Sequence, residues 1–438
     1  PSNEPLERIT LPIPVSVDAL DIRNIRVDVA NTLEMKINSV SSELSMFRTL
    51  NIEHLTLSGT RIILPNEPTE APDKDGSALD IQAIANWHYT PIKLPPIVFP
   101  IVMRANNVAV VDLLISQGKE PVFDISALRA AIDITPKLLT VKKLQVSSSL
   151  GEAELTASVN KQWRHQLKMQ LKSAQDSTYP IDAQLNLKGN LQRSELNLTT
   201  SGVLDLAANA SVDLQSAQLP LSLEVNWQPV DWPPEQANIK LEKGQLSVSG
   251  NLNQYQLALD TALKGQSVPH TLVAMRAEGN NRQANIKHIT LDTLGGRVQA
   301  TAKVTIDTLL KWQSHIEFNN IQPQQFWPEL EANVEGNVDI DGQYDGQIVR
   351  AHMRELSASG DWLDYQLSAS GEVKFNSQEG IEVPELLVKT GDNQVTMTGT
   401  LEAFDDVQAQ LSLDAQDLSQ LYPTFAGKAQ LNAQTYFA

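Results

Sequence analysis

The chain contains no cysteine among its 438 residues, so disulfide bonds, thiol catalysis and zinc–thiolate sites are excluded. Aromatic residues make up only 5% of the chain, which is little for a wide compact core. Cations are also scarce, because 34 Lys and Arg stand against 52 Asp and Glu and give a net charge of −18. The sequence shows no basic stripe, so nucleic acid is a poor partner. No run of about 18 apolar residues occurs, and no segment is predicted to cross a bilayer as a helix.

Most of the chain consists of short segments in which apolar and polar residues alternate. Because side chains on a strand point alternately to its two faces, this pattern predicts strands with one apolar and one polar face. One such phrase occurs three times without a gap, at 141–160, 286–305 and 383–402. Each copy is predicted to be a strand, a tight turn and a second strand. The turn is expected at residues that accept a positive φ, namely Gly151, Gly296 and Asn393.

A second phrase recurs at almost the same interval. "FWPEL" at 326–330 is followed by "LYPTF" at 421–425, and Pro328 and Pro423 are 95 residues apart. The strand–turn–strand phrase returns after 97 residues, from Ile286 to Val383. Two different phrases that return in the same order indicate an internal duplication. A repeat architecture can exceed the usual size of one core, because each unit packs only against its neighbours.

Three regions are predicted along the chain: an N-terminal β segment at 1–64, an insert at 65–100 and a continuous repetitive β region at 101–438. The insert starts with an acidic, proline-rich loop, and Ser77 is then expected to cap a helix that runs to Tyr89. Two interpretations of this helix remain open. It either caps the end or seam of a sheet, or it is a gating element that lies in an apolar groove through Ile81, Ile84 and Trp87.

Residues that could carry chemistry are few. The segment 337–346, "NVDIDGQYDG", places Asn and Asp at the first, third and fifth positions of a calcium loop. Position twelve of that loop is Ile348, where a bidentate Glu is needed, so a hairpin is the favoured interpretation. The seven histidines are scattered without a paired spacing, and no nucleophile or phosphate-loop motif occurs. We therefore expect no enzyme activity, no metal and no cofactor.

The apolar faces of the predicted strands need something to cover them. A facing sheet would do so in a sandwich or closed barrel, whereas a long bent sheet would leave an apolar groove. Small residues in the inward columns and the scarcity of aromatics favour the groove. The predicted groove lining comprises Leu144, Val146, Ala153, Leu155, Ala157, Val159, Leu221, Leu223, Leu246, Val248, Leu257, Leu259, Ile289, Leu291, Val298, Ala300, Ala302, Val304, Leu386, Val388, Val395, Met397, Gly399, Leu401, Leu411 and Leu413.

Long phrases carry a resemblance to a known family. They include "LDIRNIRVDV", "VKKLQVSSSLGEAELTASVN", "LPLSLEVNWQPVDWP" and "DLSQLYPTFAGKAQLNA". On these phrases the chain resembles the periplasmic part of the TamB family, within the wider AsmA-like group of bridge-like lipid transfer proteins. The resemblance covers most of the chain. It implies an all-β, elongated, U-shaped sheet (a β-taco) with an apolar inner groove and one or a few short helices. The family's N-terminal membrane anchor and C-terminal domain are absent from the sequence, so we expect a periplasmic fragment.

The resemblance also implies a function. Phospholipid would move between the inner and outer membranes through the groove, and the full-length protein would be anchored in the inner membrane of a Gram-negative bacterium. Its implied partners are phospholipids, the two membranes and an outer-membrane TamA-like protein. A second hypothesis is a scaffold that guides outer-membrane β-barrel proteins during their insertion by pairing with them along its sheet edges. A third is a binding enzyme domain for envelope polysaccharide.

Overall fold

In the computed structural model, the described residues are 9–29, 33–64, 80–118, 120–234, 238–402, 406–422 and 424–437. They form 27 strands and one short α-helix, which confirms the predicted nearly all-β fold. The chain divides into two units. Unit 1 comprises Pro1–Lys74 and Thr90–Gln228, and unit 2 comprises Asp75–Tyr89 and Pro229–Ala438. The acidic loop and the predicted cap Ser77 lie outside the described residues.

Unit 1 is a sheet in which each strand pairs with the next one along the chain. All of these pairs are antiparallel except β3 and β4, which pair in parallel. A parallel pair needs a long crossover, and residues 65–102 supply it. The strands are β1 Val15–Val29, β2 Leu33–Met46, β3 Leu50–Leu64, β4 Met103–Gln117, β5 Glu120–Ile134, β6 Leu138–Ser148, β7 Gly151–Asn160, β8 His165–Ser173, β9 Ile181–Gly189, β10 Ser194–Gly202, β11 Leu206–Val212 and β12 Leu221–Trp227.

Unit 2 contains the helix, a short hairpin and a long antiparallel sheet. Its elements are α1 Ile81–Asn86, β13 Val230–Trp232, β14 Ile239–Leu241, β15 Gly244–Asn251, β16 Gln254–Gly265, β17 Thr271–Asn280, β18 Gln283–Thr293, β19 Gly296–Ile306, β20 Leu310–Ile321, β21 Ala332–Tyr344, β22 Val349–Trp362, β23 Tyr365–Asn376, β24 Gly380–Thr390, β25 Asn393–Glu402, β26 Asp406–Ala415 and β27 Ala429–Phe437. Two 3-10 turns occupy Pro323–Gln325 and Leu418–Gln420. From β15 onward each strand pairs with the next.

Both sheets are open. In unit 1 and in unit 2, no pairing among the described residues joins the last strand of the unit to its first. The predicted fold class, an open and nearly all-β sheet, therefore agrees with the strand pairing of each unit.

The three copies of the repeated phrase form hairpins with the same register. Their central pairs are Leu144 with Leu155, Ile289 with Ala300 and Leu386 with Met397. Each copy also has a bulge at the same place, across residues 142–143, 287–288 and 384–385. A bulge bends and twists a strand. The repeated phrase therefore specifies the same local bend three times.

The residue predicted for the turn is the first residue of the second strand in all three copies, although one of the three has the expected positive φ. Gly151, with a φ of 137°, begins β7, Gly296 begins β19 and Asn393 begins β25. In the second copy the positive φ angles belong to Leu294, at 50°, and Gly295, at 72°. In the third copy Gly391 has a φ of 54°. The reason is that these turns span two residues, 294–295 and 391–392, and the strand resumes immediately after them.

In both copies, the second recurring phrase directly follows a 3-10 turn, and residues at this turn are hydrogen-bonded to a hairpin turn. In the later copy, Gln420 accepts a hydrogen bond from the backbone N–H of Asp392 at 2.8 Å. The buried side chain of Asn393 accepts from the Asp417 N–H at 3.0 Å and donates to the Asp417 carbonyl at 2.9 Å. In the earlier copy, the Gln322 N–H donates to the Leu294 carbonyl at 2.9 Å. The duplicated phrase thus fixes a loop onto the hairpin that precedes it.

The predicted helix is shorter than expected. It runs from Ile81 to Asn86, and its N-cap is Asp80, whose carboxylate accepts a hydrogen bond from the Ala83 N–H at 2.8 Å. The prediction that it reaches Tyr89 was wrong. Trp87 has an extended backbone, with φ −62° and ψ 131°, and this conformation ends the helix.

Candidate functional site: the apolar faces and rim of the sheets

The apolar face of unit 1 forms rows that run across the strands. Residues that pair across neighbouring strands share one face of a sheet. One row takes a residue from each strand from β3 to β12, and at about 4.8 Å per strand it is roughly 43 Å long. Its members are Leu55, Val108, Ala130, Leu144, Leu155, Met169, Leu185, Leu198, Ala208 and Val225.

Unit 2 has a row of the same kind. It crosses seven strands from β15 to β21, and near the chain's end Leu386, Met397, Leu411 and Ala433 continue the pattern across β24 to β27. The seven-strand row is Leu246, Leu259, Met275, Ile289, Ala300, Ile316 and Val338.

The structure places every predicted lining residue on a strand. In the hairpins, the predicted columns face each other as pairs, for example Val146 with Ala153, Leu291 with Val298 and Val388 with Val395. Several members of the rows were missed by the sequence analysis, and alternation in "HQLKMQLKS" and "IDAQLNLKG" could have identified two of them. The missed members include Leu55, Val108, Met169, Leu185, Leu198, Met275, Ile316 and Val338.

The predicted lining residues are only half-buried. Every one of them keeps intermediate exposure, while the intervening residues Glu154, Gln299 and Thr301 are exposed. A packed second layer would bury such side chains, as it does in a sandwich core. Among the described residues, few apolar side chains are buried at all. Leaving apolar surface in water costs about 25 cal/mol per Å², so these faces favour an apolar ligand.

Helix α1 lies against β19 within unit 2. Arg297, Gln299 and Thr301 on the polar side of β19 are exposed. Of the three predicted gating residues, Ile81 is 3% exposed, whereas Ile84 and Trp87 are 41% and 51% exposed. One side of the helix is therefore buried, whereas its other side is exposed.

An extended segment in unit 1 runs along one line of strand ends and is hydrogen-bonded to the connections there. We call residues 90–102 the edge strap; they contain four prolines and no helix or strand. The Ile92 N–H donates to the Leu214 carbonyl at 2.9 Å, and the Ile97 N–H donates to the Lys161 carbonyl at 3.0 Å. The Trp163 indole donates to the Pro95 carbonyl at 2.9 Å. The strap therefore follows the ends of the strands from β12 back toward β4.

This line of strand ends is rich in cations. Five connections lie on it, at 47–49, 135–137, 161–164, 190–193 and 213–220. We call these five connections together with the edge strap the basic rim. It contains six cations and one acid, Asp213. The opposite rim of unit 1, in its described connections 149–150, 174–180 and 203–205, has two acids and no cation. The cations of the basic rim are Arg48, Lys93, Lys137, Lys161, Arg164 and Arg193.

A cavity of about 1040 Å³ lies at the β19–β25 part of unit 2. Its lining side chains come mainly from the polar face, and they include Lys303, His352 and Lys374. The charges there are largely paired, since Lys374 lies 3.2 Å from Glu382 and His352 lies 2.7 Å from Glu372. This cavity is a concave part of the solvated face and is separate from the apolar rows.

The segment that resembles a calcium loop forms part of β21. Strand β21 runs through Tyr344 without interruption by a loop, and Asp339 and Asp341 project from its polar side. Asp339 bonds to His315 at 2.7 Å and Asp341 bonds to Arg354 at 2.8 Å. Within the described ranges, no group of three or more His, Asp or Glu side chains has a metal-binding arrangement.

Calcium is therefore expected to leave the thermal midpoint of the protein unchanged. The two aspartates already have cationic partners, and the loop lacks a bidentate twelfth ligand. A titration from micromolar to millimolar calcium, followed by differential scanning fluorimetry, measures this. A clear rise in the midpoint would show a site, because a ligand of the folded state stabilises it.

The polar face of unit 2 contains a histidine between two carboxylates. His315 bonds to Asp339 at 2.7 Å and to Glu317 at 3.3 Å, and these contacts, Asp339 first, raise the pKa of His315. A raised pKa means that the folded state holds the proton more tightly. The stabilisation is therefore fully present below the unfolded pKa of about 6.5 and is lost as the pH rises through the folded pKa.

We expect Asp339→Asn to lower the pKa of His315 toward its ordinary value, as measured by NMR titration of the imidazole. The change in stability should be small, because exposed ion pairs are screened by water. Asp361→Asn, on the neighbouring β22 and without a histidine partner, is the control. An unchanged His315 titration in Asp339→Asn would contradict the assigned cause.

The fold and these faces define a repetitive, one-sided β-sheet protein with apolar rows across its strands. Residues 1–435 match the family model described as "TamB, N-terminal domain", and the chain therefore belongs to the TamB family. It is 24% identical over 319 residues to the translocation and assembly module subunit TamB of Haemophilus influenzae, which covers 70% of the chain and 24% of that protein.

An uncharacterized protein of Buchnera aphidicola is 19% identical over 417 residues, which covers 93% of the chain and 39% of that protein. The chain thus spans about a quarter and two fifths of the lengths of these relatives. No solved structure matches the chain. In the part of the chain that the structure describes, no helix has the length and apolarity needed to cross a membrane.

Proposed function

We propose that the apolar rows bind the acyl chains of phospholipids and form a conduit between the inner and outer membranes. The observation that carries this proposal is that apolar side chains follow one another from strand to strand across β6 to β10 and remain half-exposed. Acyl chains would remove that surface from water, which is favourable in proportion to the area buried. Headgroups would stay at the wet rims of the sheet. No residue performs chemistry in such a conduit.

Membership of the TamB family supports this proposal. The Haemophilus influenzae relative is a subunit of a translocation and assembly module. We infer a periplasmic position, with the full-length protein anchored in the inner membrane and a TamA-like outer-membrane protein as partner.

Photo-crosslinking tests the conduit directly. A crosslinker at Met397 is expected to capture phospholipid, because Met397 lies in an apolar row between Leu386 and Leu411. The neighbouring residue Thr396 points to the opposite face, so a crosslinker there should capture none. Native mass spectrometry of the purified chain should also detect bound phospholipid. Equal labelling at the two positions, or the absence of lipid at both, would contradict the proposal.

The second candidate function is a scaffold for outer-membrane β-barrel chains. It is favoured by the two end strands: among the described residues, β1 pairs only with β2, and β27 pairs only with β26. A free strand edge can add a strand from another chain. Crosslinks from outward positions of β27 to an unfolded barrel protein, without lipid at Met397, would favour the scaffold.

A further inference from the structure

The basic rim of unit 1 has a regular arrangement that the sequence does not show. Four of its five connections contain a cation: Arg48, Lys137, the pair Lys161 and Arg164, and Arg193. The fifth connection, 213–220, contains none, but the edge strap bonds to it through Ile92 and places Lys93 beside it. From β5 to β12 the connections repeat every second strand, which is about 10 Å. Each of the five connections therefore has a cation within it or beside it.

Most of these cations are not neutralised by the protein. In the described ranges, no ion pair joins Lys93, Lys137, Lys161 or Arg164 to a carboxylate. Arg193 is bonded to Glu195 at 2.8 Å, and Lys188 lies 3.3 Å from the same carboxylate, so that cluster still has one excess positive charge. A chain with a net charge of −18 thus keeps a line of uncompensated positive charge at one rim.

The rim also exposes apolar side chains beside the cations. They are Phe47, Leu94 and Val98 within the rim and Leu138 next to Lys137, all of which are exposed. Cations interspersed with exposed apolar groups fit a phospholipid, which has a phosphate next to its acyl chains. The apolar rows of unit 1 begin directly inside this rim, because the connections join the same strands.

We infer that the basic rim binds the phosphate groups of phospholipids whose acyl chains lie on the apolar face, and that it thereby selects anionic phospholipids. This inference rests on the proposed function and names its substrate class. A lipid with a net negative charge would be attracted along the rim, whereas a zwitterionic lipid would gain much less. The attraction should weaken with salt, because the Debye length falls to about 10 Å at 0.1 M.

The test compares two lipids in one transfer assay. The purified 438-residue chain moves fluorescent lipid from donor to acceptor vesicles, which contain either phosphatidylglycerol or phosphatidylcholine. At low salt we expect phosphatidylglycerol to be transferred about tenfold faster, because each cation near an anionic surface contributes measurably to binding. The triple variant Lys93→Glu, Lys137→Glu and Arg164→Glu should lose this preference, because transfer of phosphatidylglycerol falls far more than transfer of phosphatidylcholine.

The matched control reverses the same number of charges on the polar face of unit 1. Lys143→Glu, Lys168→Glu and Lys172→Glu alter exposed strand residues away from the rim and should keep the preference. Circular dichroism checks that both variants remain folded, and single substitutions replace any that do not. If the wild type transfers both lipids equally, or if the rim variant keeps the preference, the inference is overturned and the conduit stands.

Two further outcomes distinguish a failure of the conduit from a rim that binds only free anions. Transfer of neither lipid by the wild type would overturn the proposed conduit itself. Because the rim is inferred to bind phosphate groups, inorganic phosphate should weaken the preference at least as much as chloride of equal ionic strength does. If inorganic phosphate binds to the wild type and not to the rim variant, while neither protein prefers phosphatidylglycerol, the rim is a site for the free anion only, and the inference is overturned.

Discussion

Ala300→Asp is expected to abolish lipid transfer while the sheet remains folded. Ala300 pairs with Ile289 on one side and Ile316 on the other, so its side chain lies in the middle of an apolar row. An ionised carboxylate there, unpaired against acyl chains, would cost about 3 kcal/mol or more. Lipid occupancy beside residue 300 should therefore fall roughly a hundredfold. A conduit in series fails wherever one section fails.

The control for this prediction is Gln299→Glu, which adds the same charge at the adjacent position in the chain. Gln299 is exposed and lies on the polar face, so the variant should transfer lipid at the rate of the wild type. Backbone hydrogen bonds of β19 are unaffected in both variants, and circular dichroism should show equal strand content. Equal transfer by the two variants would rule out a one-sided conduit and would favour the scaffold.

Gly151→Ala is expected to destabilise the hairpin of β6 and β7 by about 3 kcal/mol. The φ of 137° at Gly151 is a conformation that L residues rarely adopt. A Cβ atom there would also fall on the carbonyl oxygen of Lys172 in β8, which is backbone and cannot move aside cheaply. Because repeat units depend on their neighbours, the loss should appear as faster hydrogen exchange of the amides in β7 and β8.

The matched control is Gly427→Ala. Gly427 also has a positive φ, 100°, but no heavy atom lies within 4 Å of the position that its Cβ would take. Only the backbone penalty of about 1 kcal/mol should apply. If both substitutions cost the same, steric conflict with Lys172 is not the reason that glycine occupies position 151.

Much of the candidate site could be predicted because it depends on local order. The alternation in 151–159 and 296–304 places successive side chains on opposite faces whatever the strands pair with. The equal length of the repeated phrases also predicted equal hairpins, and Leu144, Ile289 and Leu386 do occupy equivalent pairs. Turn positions were less predictable. A turn at 294–295 and a turn at Gly296 differ by only one residue of register.

The sequence by itself determined which side of each strand is apolar and how often the hairpin recurs. Tertiary structure alone decided the parallel pairing of β3 with β4 and the course of the edge strap over the ends of distant strands. It also decided the basic rim. Arg48 and Arg193 are far apart in a sequence without a basic stripe. They share a rim because every second connection from β5 to β12 falls on one side of the sheet, and the parallel pair β3–β4 brings the β2–β3 connection to that side as well. Alternation depends only on residues that are neighbours in the chain. The composition of a rim depends on how the strands pair, so only the folded sheet determines it.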